Sequence, residues 1–385
     1  MKLNHLFKKD LVICKKCIFD ETVNSITFDK NGVCNYCMQT KILKKQYSTG
    51  NKIGKENLNK IISNIKKSGK NNKYDCIVGV SGGTDSSYLL YLTKKWGLRP
   101  LAVHYDNTWN TATSTQNIGK IVNKLDIDLY THVVNNEEAD DLFLSYFKAG
   151  LLEIDSSTDL ALAEVTYRAA WKYGVKYVLE GHSFVTEGIS PINLNYFDGK
   201  IINAVHKNFG TKKLKTYPLM TFNRFIFWTL FARIKKIRPF WYLDYNKETA
   251  QEFLRQKFDW AYYGGHHLEN RMSNFAHTIY LPYKFNVDMR NYTLAARVRN
   301  GTLDRLEAWE EYKSGPVQNN NLVNYFKKRL KITSEYYDEI MNKNPSHWTD
   351  FPTYKKYFEV LRPIFYILSK KNLVPLSFYK KYCLK

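Results

Sequence analysis

From Tyr74 onward, short β-branched runs alternate with stretches of helical periodicity, the pattern of a parallel sheet built strand by strand between helices. Cys76-Ile77-Val78-Gly79-Val80 is an unbroken apolar run and predicts a buried strand over 75–80. Further strands are expected at 101–105, 129–134 and 177–179, with a fifth at 201–205. The helices between them fall near 111–124, 137–150 and 158–173. Upstream, Leu58, Ile61, Ile62 and Ile65 repeat at i, i+3, i+4 and i+7, predicting one amphipathic helix in the Lys- and Asn-rich stretch 41–73. Downstream, a helix follows Asn246-Lys247 to about 257, and 291–385 read as amphipathic helices with aromatic packing. The expected fold class is α/β, a parallel doubly wound sheet with a small N-terminal unit and a helical C-terminal region. The divisions expected are 1–40, 41–73 (a connecting helix), 74–210 (the sheet domain) and 211–385 (a mostly helical region that binds substrate or partner).

The first strand runs into Ser81-Gly82-Gly83-Thr84-Asp85-Ser86-Ser87, and helical spacing resumes from Tyr88. Two glycines let backbone N–H groups turn inward with no Cβ in the way. The helix start adds unpaired N–H groups and a partial positive charge, which together suit phosphate. Ser86 and Ser87 add hydroxyl donors, and Asp85, expected at a solvent-facing turn, can hold Mg²⁺ or cap the helix. An ordinary capped turn needs only one Gly and one Ser or Asp. The Walker pattern and its lysine are absent.

In open α/β sheets ligands bind beyond the C-terminal strand ends. That rule gathers Ser81–Ser87, His104–Asn107 and Glu180–Glu187 around one crevice, with His104 and Asp106 as further nucleotide contacts. His182 can contact phosphate or orient a substrate carbonyl, and Glu187 can bind Mg²⁺ or move a proton. Asp159 reads as a helix cap. In Trp260–Arg271, Gly264-Gly265 permits close backbone approach and His266, His267, Glu269 and Arg271 follow. The H-E-x-x-H metal spacing is missing, so the stretch reads as a substrate pocket formed by Tyr263, Gly264, Gly265, His267, Glu269 and Arg271.

Four of the six cysteines, Cys14, Cys17, Cys34 and Cys37, have the C-x2-C-x16-C-x2-C spacing of a zinc ribbon, with a structural, fully protein-ligated Zn²⁺. An iron–sulfur cluster or disulfides are the alternatives. The net charge of +22 invites an anionic partner, although general Lys and Asn richness also produces it. One block stands out: from Gly199 to Leu243 there are ten Lys or Arg residues and no acid, the composition of an anion site or docking surface. The longest apolar stretch, Phe225–Ala232, is far shorter than the roughly 20 residues needed to span a bilayer. With no signal-peptide shape at the start, a cytoplasmic protein without a membrane span is expected.

The S-G-G-T-D-S-S loop resembles the pyrophosphate loop (PP-loop) of the N-type ATP pyrophosphatases, which include GMP synthetase, NAD synthetase, argininosuccinate synthetase and several tRNA-modifying enzymes. The ribbon, the loop, G-H-S-F-V-T-E-G-I-S-P at 181–191, H-K-N-F-G at 206–210 and L-K-T-Y-P-L-M at 214–220 follow one another. Then come L-D-Y-N-K at 243–247 and Y-Y-G-G-H-H-L-E-N-R-M-S-N-F at 262–275. This succession resembles the bacterial WbpG-like N-acetyl sugar amidotransferases, with one departure: His266-His267 stands where Lys-His is expected. The resemblance implies an adenine nucleotide alpha hydrolase-like fold, ATP and Mg²⁺ as cofactors, and an acetamido sugar substrate turned into an acetamidino sugar for surface polysaccharide. Asp85, His182 and Glu187 would then be catalytic, with Ser81, Gly82, Gly83, Thr84, Ser86 and Ser87 on the nucleotide. It also implies a separate glutaminase subunit with a barrel-type ammonia-channelling protein. The residues agree, since Met1-Lys2-Leu3 offers no N-terminal cysteine nucleophile and neither Cys76 nor Cys383 sits in a G-x-C-x-G elbow. A tRNA-modifying enzyme is the alternative, although nucleic acid is not the expected partner. A non-enzymatic nucleic-acid-binding zinc protein would not need the loop.

Overall fold

In the computed structural model the described residues are 10–191, 194–265, 267–317, 319–371 and 373–384. Five parallel strands form one sheet: β1 (Cys76–Gly79), β2 (Pro100–Asp106), β3 (Leu129–Val133), β4 (Tyr177–Leu179) and β5 (Lys235–Ile237), in the order β3-β2-β1-β4-β5. Gly79 stands beside Val103, and Leu179 beside both Val78 and Ile237, so the strand ends around the loop are level.

Helices α1 (Asn35–Tyr47), α2 (Lys52–Gly69), α3 (Thr84–Lys95), α4 (Ala112–Leu125), α5 (Asn136–Ala149), α6 (Ser156–Lys172) and α7 (Gly199–Phe209) come first. Alternate strand residues serve two cores. Val78 and Ala102 pack with Leu58 of α2, Leu89 of α3, Ile118 of α4 and Leu254. Ile77 and Val103 face the other way, against Phe143 of α5, Val165 of α6 and Val205 of α7. Then follow α8 (Phe222–Ile226, continued by a wider turn to Phe231), α9 (Lys247–Phe258), α10 (Arg271–Phe275), α11 (Leu281–Phe285) and α12 (Arg290–Asn300). The chain ends in α13 (Arg305–Lys313), α14 (Asn320–Leu330), α15 (Ser334–Asn342), α16 (Lys355–Val360), α17 (Arg362–Lys370) and α18 (Leu376–Phe378).

The strand expected at 201–205 is instead the interior of α7. Asp198 decides it: its carboxylate accepts the N–H groups of Lys200 (2.8 Å) and Ile201 (3.0 Å), capping a helix start. Ile201, Ile202 and Val205 then share one buried helical face. The fifth strand lies within the basic block, where Lys235-Lys236-Ile237 carries too little apolar pattern to be read as one. The block is also not one open basic face. Lys212 pairs with Glu137 (3.2 Å), Arg224 with Glu164 (2.5 Å), and Lys236 and Arg238 with Glu180 (2.6 and 3.1 Å). The motif segments 206–210 and 214–220 are held by α5. Asp141 accepts from Thr211 N, Lys212 N and His206, and Glu138 accepts from the backbone of Lys215, Thr216 and Tyr217.

Candidate active site at the C-terminal edge of the sheet

The loop after β1 turns on Gly82, whose φ of +78° favours glycine and whose hydrogen points at the Ser114 carbonyl; a Cβ there would stand 2.1 Å from that oxygen. The Gly82 carbonyl accepts from Trp260 Nε1 (3.0 Å) and Asn117 Nδ2 (3.3 Å). Gly83 is the N-cap residue of α3, so the helix begins at the loop with its first-turn N–H groups, an arrangement suited to an anion. Ser86 Oγ accepts from Ser81 N (3.3 Å) and donates to the Gly83 carbonyl (3.3 Å), holding the loop closed on itself. Ser87 and Thr84 are buried beneath it, and Gln251 of α9 donates to Thr84 Oγ1 (3.2 Å).

Asp85 is not at a solvent-facing turn. Its side chain is 15% exposed, and its two oxygens accept from Tyr245 (2.7 Å) and Lys247 (2.6 Å). Position decides this, because α9 brings Lys247 across the N-terminus of α3. The loop after β4 closes the other side, where a Cβ on Gly181 would stand 3.0 Å from the backbone of Asp85. Glu187 folds back so that its carboxylate faces Ser183 N (3.4 Å) and His182 Nε2 (3.5 Å). Burial, and then the charge of Asp85, push the Glu187 carboxyl up to about 7.

His182 accepts from Trp241 Nε1 (3.2 Å) at Nδ1, leaving Nε2 toward Glu187. Its side chain keeps 42% exposure, inside the cleft. Desolvation and the nearby Arg238 pull it down to about 3, so the ring is neutral at pH 7. Burial raises Glu180, but Lys236 and Arg238 outweigh it and hold that carboxyl at about 2.

The 260–271 segment lies along the loop. Tyr263 brings its hydroxyl 3.1 Å from where a Gly83 Cβ would be, and Ser81 Oγ donates to Glu269 (3.2 Å). Glu269 is fixed from behind, since its carbonyl accepts from Thr111 N (2.9 Å) and Ser114 Oγ (3.0 Å). His267, with φ +61°, stands 3.9 Å from Glu269. Burial opposes its charge, yet Glu269 and Glu187 carry it up to about 9, so it is a cation at the centre of the site. Gly264 takes φ +103° with open space around it, and Gly265 abuts Leu268. His266 lies outside the described residues.

Three sequence candidates point elsewhere. His104 engages the Val80 carbonyl through Nδ1 (2.9 Å) and accepts from Asn110 at Nε2 (3.3 Å), bracing the loop from below. Asp106 accepts from Thr108 N (2.7 Å) and Asn110 Nδ2 (2.9 Å), ordering the turn after β2. Arg271 donates to the Asn110 carbonyl (2.5 Å) and lies over Tyr325. Asp159 does not cap α6; Asp155 occupies the N-cap position, and burial raises its carboxyl to about 7. Tyr245 and Lys247 were missed as site residues, although both stand in the L-D-Y-N-K motif.

At the N-terminus, Cys14, Cys17, Cys34 and Cys37 are buried with all four Sγ atoms within 4.8 Å of one another. Cys14 and Cys37 lie 3.8 Å apart, as do Cys17 and Cys34. A single tetrahedral ion with bonds of about 2.3 Å sets sulfurs roughly 3.8 Å apart, so the donor set fits one metal ion. Arg299 of α12 donates to Cys37 Sγ (3.4 Å) and Cys17 Sγ (3.2 Å), and Arg305 donates to the Cys14 and Cys17 carbonyls.

A parallel five-stranded sheet, a paired-glycine loop at the end of its first strand, a four-cysteine cluster and a helical C-terminal region define an α/β protein. More particularly, residues 269–363 match the family model of the LPS biosynthesis protein WbpG-like C-terminal domain. An uncharacterized protein of Methanocaldococcus jannaschii is 30% identical over 192 residues, covering 47% of this chain and 66% of the relative's length. Among solved structures, the NMN synthetase of Francisella tularensis aligns with a TM-score of 0.32 at 14% identity, covering 76% of this chain and 97% of the other. The U34-tRNA thiolase of Methanococcus maripaludis aligns at 0.28 and 12% identity, covering 84% and 99%.

Proposed function

We propose that this chain is an ATP-dependent amidotransferase that adenylates the amide oxygen of an acetamido sugar and replaces it with ammonia, giving an acetamidino sugar for a surface polysaccharide or glycan. The observation that carries the reading is the contact of Glu269, first residue of the WbpG-like segment, with Ser81 of the pyrophosphate loop. Nucleotide loop and family-specific segment thus form one site.

An amide carbonyl is a poor electrophile and its oxygen a poor leaving group. Attack of that oxygen on the α-phosphorus of ATP expels pyrophosphate. Ammonia then adds at carbon, the C–O bond breaks, and AMP leaves. The α3 N-terminus and loop N–H groups hold the phosphates, and Lys247 holds the Asp85 carboxylate in place beside them. Asp85 is the hard oxygen donor that would hold Mg²⁺, which when bound neutralises charge on the departing pyrophosphate. Glu187, titrating near neutrality, takes the proton from the attacking nitrogen. Cationic His267 donates toward the leaving oxygen. The cysteine cluster is read as a structural zinc site.

The tRNA-thiolating alternative lacks a suitable thiol. Cys76 is buried in β1 and burial pushes its thiol up; Cys383 is buried and pushed up to about 12. The test is mass spectrometry of nucleotide-linked acetamido sugars incubated with protein, ATP, Mg²⁺ and ammonium. Replacement of O by NH with stoichiometric AMP is expected. No AMP with any such sugar, together with modification of bulk tRNA, would overturn the proposal.

A further inference from the structure

The helix pair α16–α17 is apolar on two adjacent faces. Phe358, Leu361, Phe365 and Leu368, spaced i, i+3, i+7 and i+10, pack inward on Tyr196, Phe225 and the C-terminal segment. Tyr357, Val360, Ile364 and Ile367 have the same spacing one position away and face out, 52%, 77%, 46% and 53% exposed. A helix apolar on both faces normally has something on each. The outward stripe continues onto a neighbouring element. Tyr357 of that stripe meets Phe222 of α8 at 5.9 Å, and the turns after α8 expose Phe227 and Phe231, the latter at 75%; Phe227 meets exposed Trp171 at 5.2 Å. So many large apolar side chains in one neighbourhood mark an interaction surface.

Its charge selects the partner. Residues 355–371 carry five Lys or Arg and one acid, Glu359, which is already paired with Lys355 (3.4 Å). Beside Phe231, Arg233 is exposed and adds a further cation. Apolar tips within a cationic rim match a bilayer with anionic headgroups, where the tips enter the acyl boundary and the lysines reach the phosphates. No helix among the described residues is long and apolar enough to cross a membrane, so contact would be with one surface. We infer that the outer face of α16–α17, with Phe227 and Phe231, docks on an anionic lipid bilayer.

The full chain should sediment with vesicles of phosphatidylglycerol and phosphatidylethanolamine, and at least tenfold less with phosphatidylcholine. Combining Val360→Ser, Ile364→Ser and Ile367→Ser should cut binding at least tenfold with circular dichroism and AMP formation unchanged. Replacing Arg362, Lys370 and Lys371 by Gln should cut it further at low salt than at high salt. Three results overturn the inference. One is wild-type protein that stays in the supernatant with anionic vesicles. Another is a triple variant that binds them as the wild type does. The third is a wild-type dimer that the triple variant splits, which would make the face an interface between copies of the chain.

Discussion

Asp85 is held between Tyr245 and Lys247, so replacing it both removes a charge from the phosphate site and strands a covered lysine. Asp85→Asn should lower AMP formation at least a hundredfold and cost about 3 kcal/mol, the low end for breaking a buried ion pair. Lys247→Met should lose as much activity. Near-normal AMP production by either variant contradicts the assignment of the loop. Glu187 carries a distinct signature. Its carboxyl, raised to about 7, accepts a proton only when ionised, so the rate should fall as pH drops below about 7. Glu187→Gln should be slow and should lack that limb in the pH profile of kcat; an unchanged limb would assign it to another group.

At the scale of elements, the ribbon gives a self-contained test. The purified protein should hold one zinc ion per chain. Cys34→Ser should release it and loosen the N-terminal residues before it alters catalysis, as metal analysis and limited proteolysis would detect. An iron–sulfur absorption band would refute the zinc reading. What was legible in the sequence follows from the range of each interaction. The loop and the cysteine pairs are local patterns, with every partner within a few positions. β1, β2 and β4 announce themselves through apolar runs. The register of α7 turned on one carboxylate, because Ile, Ile and Val suit either a strand or a helix until Asp198 caps the start. β5 is an edge strand whose Lys236 pairs with Glu180, so its polarity hid it. Asp85, expected at a solvent-facing turn, and the lysine that covers it are 162 positions apart, a contact no window of sequence displays.

For the whole molecule, the charge of +22 resolves into unlike parts. Several cations of the basic block neutralise acids of the sheet domain, while others remain at the surface. The nitrogen supply also belongs to this scale. The described cysteines outside the ribbon, Cys76 and Cys383, are both buried and raised in pKa, a poor basis for hydrolysing glutamine. The isolated protein should therefore work with concentrated ammonium at raised pH and not with glutamine, and a separate glutaminase should restore glutamine use. Efficient glutamine consumption by the pure chain would eliminate the partner. Arg299 bridges Cys17 and Cys37 from far along the chain. During synthesis the four thiolates leave the ribosome long before this guanidinium does. Until α12 is made and docks, a captured ion sits in a cage with its outer side open, and it should exchange readily with a chelator. Arrival of the later segment then traps the ion kinetically, so slow metal release reports that the two ends of the protein have met.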